Sequence, residues 1–281
     1  MTLNQTEKGI RFRKLHEEPE AFVIANVWDA GSARVISGLG FKALATSSGA
    51  SANVLGRLDG NVTRDEALDH AGRIAMATDL PVSADLEKGF GDAPEMVAET
   101  IRLAAATGLV GCTIEDATGD KQKPIYEIEF AIERIRAAVE TARSLPFTFT
   151  LTARSENFLR SIPDLNDTIK RLQAFEAAGA DVLFAPGLPD LAAVQSVCAA
   201  VSKPVNFMVG IKGKSFTVAE LQQAGVKRIS LAASLYRAGM SGLIEAALEI
   251  RGEGTFSYLD RAVTAAELNE LISAAVKVDK S

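Results

Sequence analysis

The chain has 281 residues, a formal net charge of −6, 47% hydrophobic residues and only 6% aromatics, a profile that fits one sizeable soluble globular domain. Its 30 basic and 36 acidic side chains are spread without a basic run, which excludes a nucleic-acid footprint and a polybasic membrane patch. The N-terminus MTLNQTEKGIRFRKLHEEPEAF has no signal-peptide core and no stretch reaches about 18 uninterrupted apolar residues, so a cytoplasmic protein with no membrane partner is predicted.

Eight apolar runs of strand length follow one another without a linker, each leading through a polar or glycine-containing turn into a helical pattern. In chain order they are AFVIANVWD (21–29), ALATSSG (43–49), PVSADLE (81–87), GCTIED (111–116), FTFTLTARSE (147–156), DVLFAPG (181–187), PVNFMVG (204–210) and RISLAASL (228–235). The intervening helical patterns include TRDEALDHAGRIAMATD (63–79), APEMVAETIRLAAATG (93–108), YEIEFAIERIRAAVETARS (126–144) and LNDTIKRLQAFEAAG (165–179). In 93–108, Met96, Val97, Thr100, Leu103 and Ala104 predict the buried stripe, and Glu95, Glu99 and Arg102 the outer face. Gly108 then suits the left-handed position that ends the helix.

Strict alternation demands parallel strands with right-handed crossovers, and eight units predict closure into a (β/α)8 TIM-type barrel. The whole chain, 1–281, reads as one such domain, with its βα units at about 21–252. The alternative is an open doubly wound sheet, but no glycine-rich phosphate loop follows a strand: GIKGKS (210–215) ends like one, with Met208 where glycine is needed. YRAGMSGLIEAALEIRGEG (236–254) supplies the eighth helix. VTAAELNELISAAVK (263–277) predicts an additional C-terminal helix whose apolar face, Leu268, Leu271, Ile272, Ala275 and Val276, must bury on its own barrel or on a neighbouring subunit.

A barrel strand buried on both faces is expected to be apolar throughout, so polar residues at its C-terminal end, the active-site face of this fold, need a reason. They gather there: Asp29, then Ser47, Ser48 and Gly49, then Asp85 and Glu87, then Glu115 and Asp116, then Arg154 and Glu156, with Asn206 and Ser234 on the last two strands. A lone Asp at a strand end is equally an ordinary helix N-cap. Asp85 and Glu87 are two apart and on a strand project to one side, with Leu86 on the other and Glu115 level with them on the next strand. Three converging carboxylates repel unless one is protonated or a hard cation sits among them, and an all-oxygen set favours Mg2+ or Mn2+ over zinc.

Arg154 is the natural partner of a substrate carboxylate, held by Glu156; a plain Arg154–Glu115 ion pair closing the barrel top is the other reading, and the two can coexist. The SSGA segment (47–50) offers backbone N–H groups to an oxyanion, or is a strand-end turn. Trp28 either walls the pocket or belongs to the core. His16 and His70 read as solvated, which leaves no Ser-His-Asp triad. Cys112 and Cys198 are too few for a disulfide framework and stand at no metal-ligand spacing, so both read as buried small hydrophobes.

The segments WDAGSARVISGLGFKALATSSGASA, LPVSADLEKGFGD, GCTIEDATGD and LTARSENF resemble, in order and spacing, the isocitrate lyase and phosphoenolpyruvate mutase superfamily, over about residues 10–250. The resemblance implies a (β/α)8 barrel that binds Mg2+ at the carboxylate cluster. It also implies a 2-oxo acid or its enolate as ligand, and cleavage or formation of a C–C or P–C bond. By position it makes Asp85 the principal metal ligand, with Glu87 and Glu115 acting mostly through water. Ser48, Gly49 and Ala50 would receive the substrate carboxylate and oxo oxygen, Arg154 would hold the carboxylate, and Asp59 in GRLDGN would approach the metal and the reacting group. Asn206 is counted with the substrate-binding residues. Tetramers that exchange C-terminal helices are also implied.

Two departures narrow the chemistry. Many members read DADTGYG where this chain reads DLEKGFG. Isocitrate and methylisocitrate lyases carry a KKCGH loop with an acid/base Cys, whereas EDATGDKQKPIYE (115–127) has none. The leading expectation is Mg2+-dependent C–C cleavage of a small 2-oxo or 2-hydroxy di- or tricarboxylic acid, for example oxaloacetate decarboxylation, with a metal-bound water or Tyr126 as general acid. The alternatives are P–C chemistry supported by Lys121 and Lys123, as in a phosphonopyruvate hydrolase or phosphoenolpyruvate mutase, and a barrel that binds a metal–oxo-acid complex without catalysis.

Overall fold

Parallel strands one to eight each pair with the next, and the eighth returns to the first through Phe22↔Arg228, Val23↔Ile229 and Ile24↔Ser230, closing the barrel that the alternation predicts. The computed structural model describes residues 3–277; Met1, Thr2 and residues 278–281, included in the predicted domain, lie outside it, as does the side chain of Val276. The strands are β1 (Phe22–Asn26), β2 (Leu44–Ala45), β3 (Val82–Asp85), β4 (Gly111–Glu115), β5 (Thr150–Arg154), β6 (Val182–Phe184), β7 (Val205–Met208) and β8 (Arg228–Ser230). The helices are α1 (Gln5–Glu17), α2 (Ala30–Gly38), α3 (Ser48–Val54), α4 (Arg64–Met76), α5 (Pro94–Ala106), α6 (Ile128–Ser144), α7 (Leu165–Ala177), α8 (Leu191–Ala200), α9 (Val218–Gln223), α10 (Ser234–Glu253) and α11 (Ala265–Lys277).

Each strand is shorter than its apolar run, because the C-terminal residues of the run turn into the loops that carry the polar groups. Outward-facing residues such as Leu44, Val82, Ala84, Cys112, Ile114 and Leu151 join the helices in the main core. The inward faces differ from the apolar expectation. Asn26, Ser83, Thr113, Asn206, Arg228 and Ser230 line the barrel's central cavity beside the apolar Ile24, Ala45, Phe184 and Met208, so the inside is partly polar where the outside is apolar.

The N-terminal end is closed by α1, whose Phe12 and Leu15 form a second cluster with Phe22, Ile24 and Val110. His16 belongs to this plug and is not solvated. Its Nδ1 lies 2.9 Å from the Phe12 carbonyl, its ring stands between those of Phe12 and Phe22, and burial, aided by the charge of Arg228, lowers its pKa to about 3.

Helix α5 buries Val97, Thr100, Ile101, Ala104 and Ala105. The stripe is thus rotated from the predicted one: Met96 is 42% exposed and Leu103 only half-buried. Gly108 takes φ +92, as its place after the helix requires. The tail helix buries on its own chain, one of the two places expected for it, whereas the eighth helix does not bury as expected. The eighth helix, α10, has no buried residue and exposes Leu243, Ile244, Leu248 and Ile250, so it does not cover the barrel. The tail helix α11 packs on α2 of the same chain, where Gly38 admits the backbone of Leu271 with no room for a Cβ.

Candidate active site

At the C-terminal ends of the strands lies a cavity of about 230 Å³, open to solvent and lined by Ser48, Gly49, Asp59, Asp85, Arg154 and Asn206 among others. Asp85 ends β3 and is held on three sides. Its backbone N–H donates to Thr46 Oγ1 at 3.1 Å, and its carboxylate accepts from the backbone N–H of Ser48 at 3.2 Å and of Glu87 at 3.3 Å. Asp59 sits on an exposed loop, yet reaches the same wall because residue 49 has no side chain: a Cβ there would stand 3.3 Å from Asp59 Oδ2. Ala50 is buried and its side chain does not line the cavity, so any part it takes in binding falls to its backbone N–H.

Arg154, at the end of β5, donates from Nε to Glu156 Oε1 at 2.5 Å, pairs through Nη1 with Glu115 Oε2 at 3.5 Å, and stacks 5.1 Å over the ring of Phe184. Arg160 ties the same two acids from outside, at 3.2 Å to Glu115 and 2.8 Å to Glu156. The pairing of Arg154 with Glu115 and its place on the cavity wall therefore coexist. Burial opposes the Arg154 charge, but Glu115, Glu156 and Asp85 outweigh it and raise its pKa. Burial holds the Glu115 carboxyl above its ordinary range even against the two guanidiniums. Behind this ring, Asp116 accepts from the Glu156 backbone N–H at 2.8 Å and from Arg171 at 3.1 Å, fixing the β5 loop to α7.

The three expected metal carboxylates do not converge as one ligand set. Glu87 lies beyond the end of β3 at φ +51, so strand alternation does not govern its direction. Glu115 is taken up by its two arginines, and among the described residues no three His, Cys, Asp or Glu side chains are disposed to hold a metal ion. The acids that do line the cavity, Asp85 and Asp59, are hard oxygen donors, suited to a cation that keeps most of its water. Burial above all, then the charges of Asp85 and Asp59, push the Glu87 pKa up to about 7. This donor chemistry fits a divalent cation held by one or two carboxylates, not a closed protein cage.

Tyr126 is not at the cavity. Its hydroxyl donates to Asp92 at 2.5 Å, Arg134 covers its ring at 4.4 Å, and burial together with the Asp92 bond raises its pKa, so the proton stays on the phenol. Neither cysteine lines the cavity; Cys112 faces the outer core and Cys198 lies in α8. His70 is half-buried, with both ring nitrogens engaged: its Nε2 meets the Trp28 carbonyl at 2.7 Å and its Nδ1 meets Ser51 Oγ at 3.0 Å. Trp28 itself packs edge-on against Tyr236 of α10, and Asp29 is an N-cap that accepts from the Ser32 N–H at 2.6 Å.

Asn206 does line the cavity, donating to Ser230 Oγ and accepting from Arg228 Nε, both at 2.9 Å. Arg228 and Thr152 inside the barrel, and Arg160 outside, went unnoticed in the sequence. The available signals were a charged residue opening an apolar strand, polar residues at every second position of LTARSE, and the i, i+4 spacing of Glu156 and Arg160.

The family model described as phosphoenolpyruvate phosphomutase matches residues 12–251. The chain belongs to this family. Its relatives include the 2-methylisocitrate lyase of Escherichia coli K12, 31% identical over 284 residues that cover 97% of this chain and 94% of that protein. An oxaloacetate decarboxylase of Bradyrhizobium diazoefficiens is 33% identical over 69% of this chain and 68% of its own length. Among solved structures, a Burkholderia cenocepacia J2315 protein classed provisionally as a lyase/mutase superposes with a TM-score of 0.92 at 50% identity, covering 94% of this chain and 95% of that one. The family resemblance and the (β/α)8 architecture expected from sequence both hold, and the curated relatives named here are C–C lyases.

Proposed function

We propose that the protein is a cytoplasmic, divalent-metal-dependent lyase that cleaves a C–C bond of a small 2-oxo or 2-hydroxy di- or tricarboxylic acid through an enolate. One observation carries the reading: a pinned carboxylate, Asp85, and a guanidinium, Arg154, face one cavity at the C-terminal end of the barrel, where catalysis resides in this architecture. Decarboxylation of oxaloacetate, the activity named for the Bradyrhizobium relative, is one concrete case. No helix among the described residues is long and apolar enough to cross a membrane.

Asp85, with Asp59 beside it, would hold Mg2+ or Mn2+, which when bound supplies Lewis-acid polarisation of the 2-oxo group. Arg154 orients and neutralises the substrate carboxylate. Glu156 and Glu115 engage its Nε and Nη1 and fix its plane, which leaves the Nη2 edge for the substrate. Ser48 and Gly49 form the facing wall, and the bare Cα of Gly49 keeps Asp59 close. Neither cysteine lines the cavity, so the cleavage takes its proton from another source than a thiol. P–C chemistry is less well supported, because Lys121 opens onto a separate hollow shared with Arg160 and Lys123 is exposed.

The test is proton and phosphorus NMR of the protein with oxaloacetate, 2-methylisocitrate, isocitrate, phosphonopyruvate and phosphoenolpyruvate, in Mg2+ or EDTA. A carbon-cleavage product that needs both Mg2+ and Asp85 is expected, with Asp85→Ala as the control because Mg2+ alone slowly decarboxylates oxaloacetate; phosphorus products, or no turnover of any of the five, would overturn the reading. The uncovered apolar face of α10 supports a homo-oligomer, with a tetramer that exchanges C-terminal helices as the expected form. Light scattering is expected to give the mass of four chains, and the mass of one would refute it.

A further inference from the structure

Arg228 opens β8 and points into the barrel, where it is only 3% exposed. Its side chain crosses the lumen: Nη2 donates to Thr152 Oγ1 on β5 and Nε to Asn206 Oδ1 on β7, both at 2.9 Å. Nη1 is buried and meets no hydrogen-bond partner.

The other arginines of the site have carboxylates. Arg154 and Arg160 share Glu115 and Glu156, and Arg171 has Asp116 and Asp167. Arg228 enters no ion pair among the described residues. Burial lowers its pKa to about 9, which still leaves it charged at neutral pH, while the adjacent His16 is held neutral. An uncompensated buried charge is costly, and a guanidinium cannot escape the cost by losing its proton at this pH. The counter-charge that the protein lacks is therefore one that a ligand can bring. Arg228, Asn206 and Ser230 line the same cavity as Asp85 and Arg154, which brings a bound ligand against the Arg228 side chain.

We propose that Arg228 receives a second carboxylate of the substrate at the floor of the cavity, so that the acid is held at both ends, by Arg154 at the mouth and by Arg228 within the barrel. The inference rests on the reading of the cavity as a 2-oxo or 2-hydroxy di- or tricarboxylic acid site, and it assigns the group that holds the second carboxylate. The geometry suits carboxylate capture, because Thr152 and Asn206 fix two edges of the guanidinium and leave Nη1 as the free donor.

The test compares two ligands of equal carbon number that differ only in the far group, L-malate and 2-hydroxybutyrate. Their binding is measured by calorimetry in Mg2+ to the wild-type protein and to Arg228→Met and Arg228→Lys. Wild-type protein is expected to bind malate about tenfold or more tightly than 2-hydroxybutyrate. Arg228→Met removes that preference while binding 2-hydroxybutyrate as wild type does, and Arg228→Lys keeps part of it.

Equal wild-type affinity for the two acids, with Nη1 met by water or chloride, overturns the proposal, as does a failure of malate to bind. A preference that persists in Arg228→Met, or an equal loss of both ligands in that variant, likewise reduces Arg228 to a support for Asn206 and Thr152. Should Arg228→Met not fold, Arg228→Gln takes its place. Binding is read without turnover, so a missing preference with C–C cleavage intact counts against Arg228 alone, whereas a preference without turnover counts against the lyase reading.

Discussion

Replacing Asp85 with alanine is expected to lower kcat by about three orders of magnitude while changing folding stability by about 1 kcal/mol or less. Asp85 is half-buried at a strand end and touches backbone N–H groups of Ser48 and Glu87, which water can replace. Its carboxylate is also the leading charged neighbour of Glu87, second only to burial in raising that carboxyl to about 7. The sign of the pH effect follows. An acid whose folded pKa lies above its unfolded value holds a proton that the unfolded chain has released, so stability falls as pH rises through that interval. For Glu87 the interval runs from its ordinary value of 4.5 to about 7. Urea unfolding of the metal-free protein is expected to show this decline, and Asp85→Ala to flatten it. Turnover within tenfold of wild type would remove Asp85 from the chemistry, and an unchanged pH slope would remove its charge from the environment of Glu87.

Periodicity makes the barrel legible, since eight apolar runs and their helices leave few other ways to bury a sheet. It misreads what lies inside. Asn26, Thr152 and Arg228 sit within runs that look apolar as a whole, because their outward neighbours Ala25, Leu151 and Ile229 dominate the pattern. Alternation also fails at Glu87, where the chain leaves the strand one residue earlier and takes a left-handed turn that no residue type announces. Tyr126 looks like a mouth residue because it closes the β4 loop, but the Ala117–Ile125 bridge folds that loop into a small hairpin and turns the phenol toward Asp92. The apolar content of α10 matches that of a barrel-covering helix, and composition carries no information about which face another chain will meet. Asp85, Gly49 and Arg154 are legible because a carboxylate, a glycine and an arginine at strand ends have few structural reasons to be there together.

Arg154 is the position where stability and chemistry are most tightly joined, and Arg154→Met is expected to damage both. Glu156 is fully buried and Glu115 nearly so, and without Arg154 their remaining cation is Arg160, whose side chain is 41% exposed. Removing one partner from a buried charge cluster costs about 3–5 kcal/mol, and thermal and urea unfolding should register it. The deficit should grow with pH. Burial already holds Glu115 above its ordinary value, losing Arg154 raises it further, and a raised acid loses stability as pH climbs toward its folded pKa. The substrate carboxylate loses its guanidinium in the same step, so kcat/KM should fall by about 10²–10³-fold. The double variant Arg154→Met with Glu115→Gln separates the two effects. Removing one of the stranded charges should recover much of the stability and none of the turnover. If stability and turnover return together, Arg154 only closes the barrel top; if stability alone returns, the guanidinium acts on the substrate.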